Sequence, residues 1–171
     1  MVPSTGKTRI VIVGCGFGGL EAARALRDVH TFVRAYPAGL LIDGIGPVAA
    51  NDAYATPAVW QAFVRDPYHG PRVVWGREVN LFLLGVANQI AAARRSPQLP
   101  DVDGFVGTLR VAAERVQQAA DASGFQSELW SYDFSGGRPV PVRYGSGADV
   151  QLWSTTDLVV RYMLARLPNP R

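Results

Sequence analysis

Residues Gly76–Arg95, GREVNLFLLGVANQIAAARR, decide the class of fold. Their apolar side chains fall at Val79, Phe82, Leu83, Val86, Ile90 and Ala93, the spacing that lines one face of an α-helix. Arg94 and Arg95 put positive charge where the helix dipole is negative, and Pro97 prevents continuation. The spacing predicts a helix over Gly76–Arg95. Working outward, Asp103–Ala122 repeats the period through Phe105, Leu109, Ala112, Val116 and Ala119. Asp101 or Asp103 is the expected N-cap of that second helix, and Gly124 its C-terminal cap. Thr155–Leu167 predicts a last helix, ended by Pro168 and Pro170. After Glu128–Tyr132, the pair Gly136-Gly137 and then Pro139–Tyr144 read as a turn followed by a strand.

Upstream, Pro57–Val64 is long enough for one or two helical turns, and Arg65–Pro71 reads as a loop. Thr31–Pro57, with its glycines, prolines and scattered aromatics, reads as strands and turns. Arg9–Val13 is a short β-branched apolar run ended by Gly14, the pattern of a buried strand, and Leu20–Val29 is rich in good helix formers. The expected organisation is therefore a βα unit over residues 1–30 and a mainly helical part over 31–171.

Composition bounds what such a chain does. At 171 residues with 48% hydrophobic and 18% charged residues, it can bury a core of ordinary size, which excludes general disorder. The net charge of +3, carried almost wholly by arginine, leaves no nucleic-acid footprint. One cysteine excludes an internal disulfide, and with His30 and His69 the only histidines a Cys/His metal cage is not expected. The glycine-broken run Ile10–Leu20 is too short to span a bilayer. A cytoplasmic chain with no membrane partner is expected.

Gly14-Cys15-Gly16-Phe17-Gly18-Gly19 fits G-x-G-x-x-G between a predicted strand and a predicted helix. In a dinucleotide site Gly14 makes the turn, Gly16 lets backbone approach the pyrophosphate, and Gly19 lets helix pack on strand. The run from Arg9 to Leu26 resembles the N-terminus of FAD-dependent pyridine-nucleotide oxidoreductases, single-subunit NADH dehydrogenases above all. That resemblance implies FAD or NAD(P) only if the loop is functional. The acidic residue that should hold the ribose is missing, because Thr31–Val33 leads into Arg34 and the next carboxylate is Asp43. The same glycines equally suit a tight turn that binds nothing.

Three further segments set aromatic residues beside carboxylates and amides. They are Gly39–Tyr54, Asp66–Asn80, and Ser127–Asp133 with Val150–Ser154. Aromatic faces against sugar rings, with carboxylates and amides bonding hydroxyls, is a common carbohydrate-site chemistry. Each tryptophan taken singly also suits core packing.

Tyr68-His69-Gly70, Val73-Val74-Trp75, Ser127-Glu128-Leu129-Trp130 and Val150-Gln151-Leu152-Trp153-Ser154-Thr155 carry a second resemblance. From about Phe32 to Leu167 the chain looks like the C-terminal part of a six-hairpin, (α/α)6-toroid glycosidase. The bacterial amylo-α-1,6-glucosidase-like, glycogen-debranching enzymes are the group it resembles. The resemblance implies a mainly α fold: a partial (α/α) toroid with short β hairpins, here preceded by the βα glycine-loop unit. It implies Glu128 as general base of an inverting displacement, with Tyr68, His69, Trp75, Trp130 and Trp153 lining the substrate site. It also implies an oligosaccharide partner and no cofactor. The sequence departs from the family pattern by an extra residue between Gly70 and Trp75, and by Gly76-Arg77-Glu78 in place of a more aromatic, amide-rich stretch.

An inverting glycosidase needs two carboxyls about 6.5–9.5 Å apart. Glu78 is a second carboxylate to set beside Glu128, but its place also suits a first-turn glutamate complementing the helix dipole. In the family the general acid comes from a hairpin nearer the N-terminus, so an incomplete or fused fragment with weak or no independent activity is expected. The alternatives are a fragment of an FAD/NAD(P) oxidoreductase and a non-enzymatic, partner-binding helical module. Fewer than six hairpins leave apolar faces uncovered, which favours a homo-oligomer or a complementing chain.

Overall fold

A computed structural model describes residues 33–50, 53, 55–66, 68, 70–95, 101–145, 147–152 and 156–167. The βα unit expected over residues 1–30 lies outside these residues. The described part is mainly helical with small antiparallel sheets. In chain order the elements are β1 (Leu41–Ile42), β2 (Gly46–Pro47), α1 (Pro57–Arg65), β3 (Val73–Trp75), α2 (Gly76–Arg95), α3 (Val102–Ser123), β4 (Leu129–Ser135), β5 (Arg138–Arg143) and α4 (Asp157–Arg166).

The helix α2 spans the residues its period predicts, and Val79, Phe82, Leu83, Val86, Ile90 and Ala93 are all buried. Its partner α3 buries Leu109, Ala112, Val116 and Ala119, with Phe105 packed at the margin of the same core. Small residues on α3 let large ones on α2 fill the space between the helices, the alternation that close packing requires. Asp101, not Asp103, caps α3: its carboxylate accepts the Gly104 N–H at 3.1 Å. Asp103 is used instead in an ion pair with Arg94 at 3.0 Å, which ties the end of α2 to the start of α3. Gly124, with φ +71°, closes the other end in the left-handed conformation that lacks a Cβ penalty.

Val160 and Leu164 seat α4 against α2 and the rest of the core. Polar contacts hold its ends. The Asn80 amide donates to Thr156 Oγ1 at 3.3 Å, Arg161 grips Asp121 with two bonds at 2.5 and 2.8 Å, and Arg110 donates to the Leu167 carbonyl at 2.8 Å. By contrast α1, capped by Thr56 and started by Pro57, buries none of its residues.

The larger sheet runs β3-β4-β5, with Val74 opposite Trp130 and Ser135 opposite Arg138. Gly136 and Gly137, with φ of +57° and +76°, form the two-residue turn between β4 and β5. Two successive positive φ values are what a tight hairpin of this hand needs. On β5, Pro139 and Pro141 take away outward N–H groups, so this edge offers few donors to another strand. A bridge between Val48 and Val74 joins the β1-β2 hairpin segment to this sheet. The result sets the end of β3 and the start of β4 beside the start of α2.

Candidate functional site

The chain turns from β3 directly into α2, and Glu128 sits at that corner. Trp75, the last residue of β3, is opposite Leu129, and the Gly76 N–H donates to the Glu128 carbonyl at 3.0 Å. On its other side Glu128 exchanges bonds with Ala148. Its N–H donates to the Ala148 carbonyl at 2.9 Å, and its Oε2 accepts the Ala148 N–H at 3.0 Å. The residue is 7% exposed. A carboxylate so far out of water needs partners for both oxygens. The second partner is the Tyr68 hydroxyl, which donates to Oε1.

Tyr68 is itself held from three directions. Its ring meets Trp75 edge-to-face, with centroids 5.5 Å apart and planes at 88°, a favoured aromatic geometry. Its carbonyl accepts the Trp75 indole N–H at 3.2 Å, and its N–H donates to Asp66 Oδ1 at 2.8 Å. The Arg77 guanidinium lies 6.0 Å from the Trp75 ring centroid. Gly70 makes the loop tight enough for this: a Cβ there would lie 2.9 Å from the Asp66 carbonyl oxygen and 3.5 Å from the Tyr144 hydroxyl. Burial, and secondarily the negative charge of Asp66, pushes the Tyr144 phenol above its ordinary value, so it stays a neutral O–H.

Tyr68, Trp75 and Glu128, named from the sequence as site residues, thus meet in one cluster. Trp130, named with them, does not join it. It is 2% exposed, and its indole N–H donates to the Ile45 carbonyl at 2.8 Å. Strand alternation explains this, because Trp130 and Val74 are paired on the core face of the sheet. A ring covered in this way offers no face for a sugar. Glu78 sits in the first turn of α2, 3.9 Å from Arg77 Nε, where its charge complements the helix dipole. His69, Trp153, Gly14, Gly16 and Gly19 lie outside the described residues.

Three participants were not singled out in the sequence. Asp66 orients the Tyr68 backbone, Tyr144 flanks the loop, and the Ala148 amide holds one oxygen of Glu128. The Asp66-Pro67 dipeptide is a turn-initiation signal that points to the first. Ala148 acts through backbone alone, for which a side-chain motif carries no signal. Chemically, the cluster presents a fixed carboxylate, a hydroxyl on one of its oxygens, and an aromatic wall. Neither a protein-family model nor a curated protein nor a solved structure matches the chain.

Proposed function

We propose that this chain is a glycoside hydrolase-like domain handling α-glucosidic chains of the glycogen or maltooligosaccharide type, built as part of an (α/α) toroid. One observation carries the reading. Tyr68, which meets Trp75 edge-to-face, donates to the carboxylate of Glu128 60 residues away, so three residues that the resemblance names for the site come together. In an inverting displacement Glu128 takes a proton from water while the water oxygen bonds to the anomeric carbon. The glycosidic C–O bond breaks, and the leaving oxygen takes a proton from a second carboxyl group. Both oxygens of Glu128 are bonded, Oε1 by the Tyr68 hydroxyl and Oε2 by the Ala148 N–H, so a water reaches Oε1 only by displacing the Tyr68 hydroxyl. The family resemblance assigns the acid to another hairpin, and no described residue is proposed for it. Sugar binding is therefore the property to measure, ahead of turnover.

The test is titration of the full chain with maltoheptaose, followed by the Trp75 indole N–H and Glu128 amide in two-dimensional NMR. Shifts at both in the wild type, abolished or strongly reduced in Glu128→Gln, support the reading. No shift at either with millimolar sugar overturns it.

A second reading, the partner-binding helical module, is favoured by the surface of α4. Leu158, Val159 and Tyr162 are 71%, 60% and 56% exposed, at a spacing that places them on one side of the helix. Val150 and Leu152 just before it are 74% and 82% exposed. Such a run of exposed apolar side chains is the mark of a surface that meets another chain. Concentration-dependent sedimentation that disappears in Leu158→Ser/Tyr162→Ser is the expected result under this reading, and a monomer at all concentrations refutes self-association. The oxidoreductase alternative rests on Gly14, Gly16 and Gly19, outside the described residues, and is tested by flavin absorbance of the purified chain. Among the described residues no helix is long and apolar enough to cross a membrane.

A further inference from the structure

A second concavity, of about 490 Å³, lies between the segment 35–43 and the β4-β5 hairpin. Its walls include the aromatic rings of Tyr36, Tyr132 and Phe134 and the charged side chains of Asp43 and Arg138. Tyr132 and Phe134 are two apart on β4, so they share a face, and they meet edge-to-face at 5.8 Å and 80°. Arg72 stiffens this pair from one side: its guanidinium lies 5.7 Å from the Tyr132 centroid and 5.4 Å from that of Phe134. Phe134 nonetheless remains 55% exposed. It is an aromatic ring fixed in place by its neighbours yet open to solvent.

The charges around it narrow the occupant. Asp43 and Arg138 both line the groove, and neither joins an ion pair among the described residues. One accepts hydrogen bonds and the other donates them, so opposite charges line one groove whose remaining surface is largely aromatic and aliphatic. A strongly anionic ligand such as a phosphate meets Asp43, and a cation meets Arg138. A neutral ring carrying hydroxyls meets neither objection. Its C–H face stacks on Phe134 while its hydroxyls donate to Asp43 and accept from Arg138. The volume is that of an ordinary small-ligand site.

We infer that the groove between Asp43 and the Phe134–Arg138 hairpin is a second, non-catalytic binding site for a neutral oligosaccharide. Phe134 lies six residue steps along the chain from Glu128, about 20 Å at the usual strand rise, so the two sites are distinct. Held at the far end of β4, a sugar chain in the groove keeps the polymer near the Glu128 cluster and raises its local concentration there. Only the choice of an α-glucan as ligand rests on the function proposed above.

The test titrates the full wild-type chain with maltoheptaose, reading two-dimensional NMR shifts at Tyr36, Phe134 and Arg138 alongside those at Tyr68, Trp75 and Glu128. Phe134→Ala is expected to weaken the groove shifts about tenfold and Asp43→Asn about threefold, with the Glu128 region unaffected. Asp43→Asn replaces an exposed side chain, so it reports on the groove even if Phe134→Ala disturbs the hairpin. Shifts at both regions support both sites. Shifts confined to Tyr68, Trp75 and Glu128 overturn the groove and leave the proposed function standing. Shifts confined to the groove uphold it and overturn the Glu128 reading. No shifts at millimolar sugar, or groove shifts insensitive to both substitutions, overturn the inference.

Discussion

Tyr68→Phe removes one oxygen atom and leaves the ring. The edge-to-face contact with Trp75 is retained, as are the two backbone bonds of residue 68, because none of them uses the hydroxyl. What is lost is the donor to Glu128 Oε1, on a residue only 7% exposed. Oε2 keeps the Ala148 N–H, so the carboxylate is left half-satisfied rather than bare. A hydrogen bond to a charged group contributes about 1.5–3 kcal/mol, and leaving a buried acceptor unpaired costs a similar amount. Water entering the space of the lost hydroxyl recovers part of that, so a net loss of about 2 kcal/mol is expected. For a chain of this length the loss corresponds to a fall in Tm of about 4–8 °C. Urea unfolding of wild type, Tyr68→Phe, Glu128→Ala and the double variant closes a cycle. A coupling energy of about 1–3 kcal/mol is expected for directly bonded partners. If Tyr68→Phe costs less than about 0.5 kcal/mol and the cycle shows no coupling, the hydroxyl does not hold Glu128, and the site built on that contact falls.

Trp130→Ala, in the core rather than at the site, is expected to destabilise by about 3–5 kcal/mol in the same denaturation assay; a cost near 1 kcal/mol would place the ring at the surface. Gly70→Ala puts a Cβ 2.9 Å from the Asp66 carbonyl oxygen, so calorimetry should show a loss of about 1–3 kcal/mol, and an unchanged Tm would mean the loop relaxes freely. Arg161, through a hydrogen bond above all, holds the Asp121 carboxyl below its ordinary value of 3.8. The stabilisation from that pair is therefore present above about pH 4 and lost as pH falls through the lower folded value. Asp121 is half-exposed, so solvent screening limits the effect to about 1 kcal/mol or less; Asp121→Asn should remove it at pH 7 and match wild type at pH 2. Gly137→Ala forces a side chain into φ +76° at the hairpin turn and is expected to cost about 1 kcal/mol or more by thermal unfolding.

The local elements were legible because their signals are local. The period of Gly76–Arg95, the cap at Gly124 and the paired glycines at 136–137 each act within a few residues, and each recurs in the structure at the place the sequence indicates. Residue type narrows the capping aspartate only to Asp101 or Asp103. Both suit a cap by type, and the structure pairs Asp103 with Arg94 and leaves Asp101 to cap α3.

The site was legible in its residue types and not in its membership. Tyr68, Trp75 and Trp130 were equivalent candidates as sequence, aromatics beside polar residues at element boundaries. Strand pairing separated them: Trp130 lies opposite Val74 on the core face and gives its N–H to Ile45, while Trp75 ends its strand and meets Tyr68. The sequence by itself determined which stretches are helical, where they stop and which residue types stand at their ends, because periodicity, capping and turn chemistry act between near neighbours. Only the tertiary structure decided that Tyr68 and Ala148 share the oxygens of Glu128. Their bonds join segments 60 and 20 residues apart, and the burial that makes those bonds necessary exists only once the helices and sheet have packed.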